Sequence, residues 1–317
     1  MRRYVLWRLA QAVGVLWAAY TLTFLLLDLL PGDPVAAMAG AGLNSTQVTP
    51  ERLAELRAQY GFDRPLLVRY ATSLGHALRG DFGDSVATGR PVAAILADAL
   101  PSTLELTGVA LPLAVLLGGG LALAATSTSR GPLRRLLLSL PAVGISLPAF
   151  WVGLMLVQLL SFRLRLFPAF GDAGAAGLVL PAVTLSLPAA VLVAQVLSQS
   201  LLAVLEEPYV QTARAKGAGR ARVRFHHALR NAALPALTVI GVLAGQLTAN
   251  AVVVENVFSR NGLGRVTTDA VTVRDIPVVQ GVVVFGALVF VLLNLLVDLA
   301  GPLLDRRIVI TGRRSYA

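Results

Sequence analysis

The amino-acid sequence predicts an all-α integral membrane protein with six transmembrane helices. Its mean hydropathy is +0.73 and only 14% of its 317 residues are charged, whereas soluble domains carry about 25%. The apolar residues come in long blocks rather than in short periodic faces. Arginine residues are concentrated in alternate connections between these blocks, and such an asymmetry indicates how a membrane protein is oriented.

Six charge-free runs are each long enough to cross a membrane as a helix. A hydrocarbon core of about 30 Å needs about 20 residues at a rise of about 1.5 Å per residue. The runs are residues 9–27, 106–129, 136–162, 173–205, 231–254 and 276–297. We interpret the first as an uncleaved helix, because it is too long for the apolar part of a signal peptide and lacks a small-residue cleavage site. In the fourth, we expect residues 173–177 to be loop, and Pro181 and Pro188 to kink the helix.

The basic residues predict that both chain termini face the cytoplasm. With the N-terminus inside, sixteen Arg and Lys residues lie on the inner side and five in the short outer loops. The remaining six lie in residues 31–101, a segment long enough to be translocated largely regardless of its charge. The net charge of +10 is therefore a topology signal. Nucleic-acid binding is excluded, since the basic residues follow loop positions and form no extended stripe.

These segments divide the chain into four parts. They are an N-terminal transmembrane helix (1–30), an extracytoplasmic helical segment (31–100), a five-helix core (101–305) and a cytoplasmic tail (306–317). In the extracytoplasmic segment, Thr49 is expected to cap a helix from Pro50 to Gly61, and a second amphipathic helix is predicted over residues 65–78. Two interpretations of this segment stay open. It is either a cap on the membrane domain or a docking surface for an external partner, with contacts expected at exposed positions such as Arg57 and Arg69.

Residues 206–233, which we call the basic loop, are far less apolar than the runs on either side. Their sequence is EEPYVQTARAKGAGRARVRFHHALRNAA. It predicts a helix from Pro208 to Lys216, because proline suits the first turn and the two preceding glutamates lie at the positive end of the helix dipole. Gly217 is expected to end this helix in a left-handed conformation. A second basic helix then leads from Arg220 into the fifth run.

The first helix of the basic loop is predicted to present a face of small residues. Val210, Ala213 and Gly217 fall on this face, and Arg214 and Lys216 lie at the C-terminal end, where cations are favourable. A compact knob of this kind would fit a groove on another protein. The alternative, an ordinary basic cytoplasmic loop, accounts for the arginines but not for the signals that start and stop the helix.

The basic loop resembles the EAA-type coupling loop of ABC importer permeases, specifically of the first permease in dipeptide, oligopeptide and nickel import systems. Further segments resemble the same family in order and spacing along essentially the whole chain. They read LLDLLPGDPVAAM, YGFDRPLLVRY, GDFGDSVATGRPV, LPSTLEL, VVVENVFSRNGLGR, RDIPVVQGVVV and NLLVDLAGPLLDRRI. Two departures stand out. The EAA positions read Gln211-Thr212-Ala213, and Arg260-Asn261 replaces the Trp-Pro that the family often has.

The resemblance implies the type I ABC importer permease fold and a multi-pass subunit of the bacterial inner membrane. The implied partners are a homologous second permease, two cytoplasmic ATP-binding subunits, an extracytoplasmic substrate-binding protein and membrane lipid. The residues that would couple the chain to the ATPase are Pro208, Tyr209, Val210, Thr212, Ala213, Arg214, Lys216 and Gly217. Short peptides are the implied substrate, and nickel or a metal chelate is the alternative.

The sequence provides no nucleotide-binding or catalytic site of its own. A phosphate-binding P-loop needs a lysine followed by serine or threonine, but the only lysine, Lys216, precedes Gly217. ATP and Mg²⁺ are therefore expected on partner chains. With no cysteine, and with His226 and His227 adjacent and His76 alone, no metal site, cofactor or catalytic residue is predicted.

Polar residues near the apolar runs are candidates for the translocation path. Gln246 and Asn250 share a face of the fifth helix, and such amides either bond a neighbouring helix or line a hydrated cavity. Glu255 leads into the segment that holds Gly262 and Gly264, which resembles the family's outer gate. Two rival classes remain: a secondary transporter, which usually shows a repeat that we do not find, and an intramembrane enzyme, for which no catalytic constellation is present.

Overall fold

The computed structural model describes residues 2–29, 54, 63–171 and 174–304, which are helical throughout apart from turns and one isolated bridge between Asp84 and Pro91. The first four helices are α1 (Arg2–Asp28), α2 (Leu66–Ala77), α3 (Val92–Ser127) and α4 (Gly131–Ser146). Helix α5 (Ala149–Leu156) continues as π-helical turns over Val157–Arg163. The remaining helices are α6 (Gly174–Leu205), α7 (Pro208–Ala215), α8 (Arg220–Val257), α9 (Leu263–Thr272) and α10 (Ile276–Leu304).

Five of these helices are long and apolar enough to cross a membrane, and α4 with α5 makes a sixth span if the bent pair is counted as one. The third run is therefore not one continuous helix. Its two halves meet at 101°, because Leu147 is extended (φ −95°, ψ 123°) ahead of Pro148, and proline disfavours the helical conformation of the residue before it. In the fourth run, α6 begins at Gly174, so the expectation of a loop up to residue 177 is wrong. Pro181 and Pro188 both lie within this one helix.

Helix α6 is the central helix of one compact unit, which comprises residues 105–258 and the end of α10. It contacts α4, α5 and α8. Small side chains let the helices approach closely: a Cβ atom at Gly118 of α3 would overlap the Ala190 carbonyl oxygen and lie 2.8 Å from the Val193 Cβ. Close packing through glycine and alanine is the usual way that membrane helices associate.

The second unit comprises α1, α2, the first part of α3, α9 and the first part of α10. Its core joins Val92 and Leu96 of α3 to Leu263 of α9 and Val278 of α10. Buried Asp275 accepts hydrogen bonds from the Ser85 hydroxyl at 2.6 Å and the Ala87 amide at 3.2 Å, and its second carboxylate oxygen accepts one from the Val278 amide at 3.4 Å. This carboxylate thereby caps α10 and holds the turn after α2 in place.

Helix α2 packs against α1. This contact supports the interpretation of the extracytoplasmic segment (31–100) as a cap on the membrane domain. The Tyr70 hydroxyl is 2.8 Å from that of Thr21, and its ring contacts Phe24 edge-on. Arg69, expected to be exposed, instead pairs with Asp28 and is only 16% accessible. The expectation that Arg69 is exposed is therefore wrong, whereas contact of this segment with an external partner stays a prediction. Arg57 and the helix predicted from Pro50 to Gly61 lie outside the described residues.

The turn after α2 contains the one exposed carboxyl group whose pKa is clearly shifted among the described residues outside the membrane spans. The Gly83 amide donates to Asp81 at 2.9 Å, and His76 lies 3.1 Å from the same carboxylate. These two contacts, the amide first, hold the pKa of Asp81 below its usual value. They order a turn in which Gly80 and Gly83 both have positive φ.

Candidate functional site

The first helix of the basic loop forms with the boundaries that its start and stop signals indicate. It runs from Pro208 to Ala215, with Glu207 extended before it and Lys216 as the C-terminal cap. Gly217 has φ +83°. Its amide donates to the Arg214 carbonyl at 2.9 Å, and the Ala218 amide donates to the Ala213 carbonyl at 3.1 Å. This pair of bonds is a Schellman motif, which satisfies the last carbonyls of the helix and requires a left-handed residue where Gly217 lies.

The predicted small-residue face of α7 does not point outward as a whole. Val210 is completely buried within the chain, Ala213 is half-buried and Gly217 is exposed. Helix α7 contacts the first turns of α8, where Val223 and Ala228 are also buried. Val210 is therefore not exposed on the small-residue face, contrary to the expected geometry, and its part in coupling to an ATPase stays a prediction.

The outer face of α7 is polar and basic. Pro208, Tyr209, Thr212, Arg214 and Lys216 are all exposed, as are the basic side chains at positions 220, 222 and 230. Among the described residues, none of these cations has a salt bridge to an acidic side chain. The surface is thus available to a partner that carries complementary charge.

Helix α8 begins inside the basic loop, at Arg220, and reaches Val257 without interruption. Its first turns include a π-helical segment, Val223–Ala228, of a kind that is frequent at functional sites. The Arg224 guanidinium donates to the Thr126 carbonyl in the last turn of α3 at 3.4 Å. The Asn231 amide donates to the Tyr209 hydroxyl at 2.8 Å.

Sequence reasoning did not single out Asn231 or Arg224. Both residues look like ordinary members of a polar, basic stretch, and nothing in the sequence identifies their partners. The signal that was available is positional: Asn231 is the first residue of the fifth run and is polar, with alanine and leucine after it.

The two candidate path amides lie on the outer face of α8. Gln246 and Asn250 are exposed, whereas the neighbouring Leu243 and Leu247 are buried against the rest of the unit, so the amides lie beside the edge of the packed face. Within the part of the chain that the structure describes, neither amide side chain has a hydrogen-bond partner. Bonding to a neighbouring helix of the same chain, one of the two alternatives, is therefore not found among these residues.

The residues of the candidate gate are buried within their respective units. Glu255, in the unit that contains α6, is completely buried. In the other unit, Gly262 caps the start of α9 and Gly264 is buried in its first turn. The Leu263 amide donates to the Thr103 hydroxyl at 2.9 Å, so α9 is tied to the first part of α3.

Arg260 is a further residue of this segment whose placement the sequence did not indicate. Its side chain is only 2% accessible, and its guanidinium donates to the Ser102 hydroxyl at 3.2 Å. Where the related permeases often carry a tryptophan ring, this chain thus buries a hydrogen-bonded cation. Arg260 holds the gate segment against α3 by polar contacts.

Two family models together match nearly the whole chain. Residues 110–310 match the family described as the inner membrane component of binding-protein-dependent transport systems. Residues 1–107 match the N-terminal domain of such membrane components.

Curated relatives of similar length agree with these matches. The chain is 39% identical to a "Probable peptide ABC transporter permease protein y4tP" of Sinorhizobium fredii, over 96% of this chain and 98% of that protein. It is 39% identical to "Glutathione transport system permease protein GsiC" of Salmonella typhimurium, over 94% and 96%, and 37% identical to the Escherichia coli K12 protein of the same name, again over 94% and 96%.

Solved structures show the same fold. An amino acid ABC transporter crystallised with histidines matches 68% of this chain and 94% of its own, with a TM-score of 0.51 and 20% identity. The inward-facing MetNI methionine ABC transporter matches 68% and 96%, with a TM-score of 0.52 and 19% identity. The all-helical fold is therefore that of type I ABC importer permeases. On the family matches and the full-length relatives, the chain belongs to the family of inner membrane components of binding-protein-dependent transport systems, the permease subunits of ABC importers.

Proposed function

We propose that the chain is one of two homologous permeases that form the path of an ATP-driven importer for short peptides. Both termini and the basic loop lie in the cytoplasm of a bacterial cell. ATP and Mg²⁺ bind to two separate ATPase subunits, and a binding protein delivers substrate from outside. The relatives named for peptide and glutathione transport support this substrate class, since glutathione is itself a tripeptide.

One observation carries the mechanism. Helix α8 is continuous from the basic loop to the exposed amides, a distance of about 40 Å from Arg220 to Gln246 at about 1.5 Å per residue. A movement imposed on the basic loop therefore reaches the amide face through a single helix. Alternating access follows if ATP-driven closure of the ATPases displaces this lever.

The exposed amides of α8 support its placement along the path. An amide that faces lipid loses its hydrogen bonds to water, so polar side chains within the membrane face protein or a hydrated cavity. Gln246 and Asn250 face away from their own bundle. In the assembly they face the second permease and the hydrated path between the two subunits, where they can donate to and accept from peptide groups.

Nickel or a metal chelate is the alternative substrate of the same family. The sequence contains no cysteine, and neither of the candidate path residues Gln246 and Asn250 is a strong ligand for nickel. A chelate would need no protein ligands, but no observation on this chain favours it over a peptide.

The test is uptake by the complete transporter in proteoliposomes. The chain is copurified with its second permease and ATPase subunits and supplied with its binding protein, labelled di- and tripeptides, or a labelled nickel chelate. We expect peptide uptake that requires ATP and the binding protein. If the transporter takes up the nickel chelate but no peptide, the proposed substrate class is wrong. If it takes up peptide without the ATPase subunits, the proposed mechanism is wrong.

Paired variants of α8 test the path within the same assay. Gln246→Leu and Asn250→Leu should lower peptide uptake, because each removes an amide from the exposed face. Thr238→Val lies on the same helix, and its hydroxyl bonds only its own helix, to the Leu234 carbonyl at 3.4 Å. It should therefore have little effect. If all three variants take up peptide as fast as the wild type, the two amides are not part of the translocation path.

A further inference from the structure

We propose that Tyr209 and Asn231 form a polar latch that makes α7 and α8 move as one body. This inference rests on the proposed function, in which the basic loop transmits movement from the ATPase. It assigns that transmission to two named side chains, which are positioning residues rather than contacts to the substrate.

The covalent connection between α7 and α8 is poorly suited to transmit a displacement. It consists of the short turn from Lys216 to Gly219, which contains two glycines. Gly217 is left-handed and Gly219 is extended, and a Cβ atom at either position would meet nothing within 4 Å. Since no packing supports the turn at these two positions, the stiffness of the joint must come from contacts between the helices themselves.

Two kinds of contact join the helices. Val210 is completely buried and α7 contacts the π-helical segment of α8. Apolar packing of this kind holds helices together without fixing a direction. The Tyr209 hydroxyl accepts a hydrogen bond from the Asn231 amide at 2.8 Å and donates one to the His227 carbonyl at 3.3 Å. These directional bonds attach α7 to two consecutive turns of α8, at the end of the π-helical segment and just beyond it.

The far side of the π-helical segment is also held. Arg224 donates to the Thr126 carbonyl at the end of α3, where a cation is favourable beside the last carbonyls of a helix. The segment is thus fixed to α7 through Tyr209 and to the membrane bundle through Arg224. A push on α7 is therefore transmitted to the lower end of α8 instead of being absorbed by the glycine turn.

The transmitting role is separable from a role in folding. Tyr209 is 41% accessible and Asn231 is exposed, so water replaces their mutual bond in an isolated chain and little stability is lost. The loss of the direct bond matters when the partner exerts a force on α7, because hydrogen bonds to water do not connect α7 to α8.

The first test measures the distance between α7 and α8 and how widely it varies. The cysteine-free sequence allows spin labels at Gln211→Cys and Arg230→Cys, both exposed positions, in the complete complex with and without a non-hydrolysable ATP analogue. We expect one narrow distance distribution in both states for the otherwise wild-type chain. Tyr209→Phe and Asn231→Leu should broaden it. Asn231→Asp cannot donate to the tyrosine, but its carboxylate can accept from the hydroxyl in place of the His227 carbonyl, so it should restore most of the narrow component.

The second test measures the consequence. Transport per ATP hydrolysed should fall about three- to tenfold in Tyr209→Phe and in Asn231→Leu, the range expected for one hydrogen bond. The double variant should be no worse than either single one, because both remove the same link. Association with the ATPase should be unchanged in Asn231→Leu, because Asn231 is not among the residues expected to contact the ATPase. Tyr70→Phe is the matched control, since it also loses a tyrosine hydroxyl bond, to Thr21, but far from the basic loop in sequence and in the other unit.

The outcomes separate the latch from the proposed function. If the distances behave as expected but the wild-type complex imports no peptide, the latch stands and the proposed substrate fails. If Tyr209→Phe and Asn231→Leu leave the distance distribution unchanged, the latch is wrong even in a complex that imports peptides. Loss of ATPase association in Asn231→Leu would also overturn it, because Asn231 would then act on docking. Losses that multiply in the double variant would overturn it as well, because Tyr209 and Asn231 would then act independently.

Discussion

Gly217→Val tests whether the basic loop acts through its shape. Gly217 has φ +83°, and a Cβ atom there would meet nothing within 4 Å. The valine side chain therefore causes no steric conflict with the rest of the protein, and its cost is confined to the backbone.

The expected size of the effect follows from that backbone strain. A residue other than glycine loses about 1–2 kcal/mol in the left-handed region, and a β-branched residue lies at the upper end. A loss of about 1–2 kcal/mol lowers the population of the closed turn by a factor of about 5–30. When the turn opens, the two terminal hydrogen bonds of the Schellman motif are lost. Helix α7, with only eight residues, is too short to be stable without its turn and its packing.

The assay measures two quantities for each variant: the amount of the chain in the membrane, and its association with the ATPase together with the ATP hydrolysis that loaded binding protein stimulates. We expect Gly217→Val to insert normally, because no membrane helix is altered, and to lose ATPase association or the stimulation of ATP hydrolysis by loaded binding protein. Gly219→Val is the matched control: this glycine has φ −61° and ψ 155°, which valine adopts readily, and its Cβ position is equally open. Lys216→Ala, which removes a charge but no backbone requirement, should also be mild. Wild-type association and stimulation in Gly217→Val would refute the coupling role of this loop.

Three further predictions test the arrangement of the chain. Reporters fused at the C-terminus and inserted near Ala218 should report the cytoplasm, and one near Gly42 the outside; a cytoplasmic signal near Gly42 would overturn the topology. A crosslinker on Leu67→Cys, at a position 79% accessible on α2, should capture the binding protein during turnover; failure there and at every other exposed position of α2 would leave this helix a structural cap. Gly118→Ala should destabilise the chain by about 1–3 kcal/mol through overpacking, seen as a lower unfolding temperature in detergent; Gly120→Ala, whose Cβ meets nothing within 4 Å, should not, and equal temperatures would contradict the close contact of α3 with α6.

The membrane spans and the basic loop were predictable because their signals are local. An apolar run long enough to cross the bilayer has few other stable structures, since every backbone group must be satisfied within the helix. The end of α7 was predictable for a similar reason: a glycine after a cationic last turn is the usual C-terminal stop, and Gly217 adopts the expected conformation. Such features depend on a few neighbouring residues and not on the rest of the fold.

The features that sequence reasoning missed depend on tertiary contacts. Val210 lies on the small-residue face whether that face points to a partner or to the chain itself. Its complete burial depends on tertiary packing that the local pattern does not specify. The 101° bend between α4 and α5 was hidden because Leu147 and Pro148 lie within a run that is apolar throughout. Arg260 is charged, and nothing in the sequence indicates that it is buried or that its guanidinium meets the Ser102 hydroxyl.

The start of α8 shows why this distinction matters for function. Apolar length alone places the beginning of the fifth span near residue 231, after the basic stretch. The signals of the basic loop instead predicted a second helix that leads from Arg220 into this span. The structure begins it at Arg220, because basic residues are good helix formers and because Val223 and Ala228 are buried while the cations at positions 220, 222 and 230 are exposed. The polar stretch is thus the first part of the membrane helix and not a linker before it. The lever that we propose, from the basic loop to the amides of α8, needs this continuity. Hydropathy alone does not reveal it, because the first turns of the helix are polar and basic.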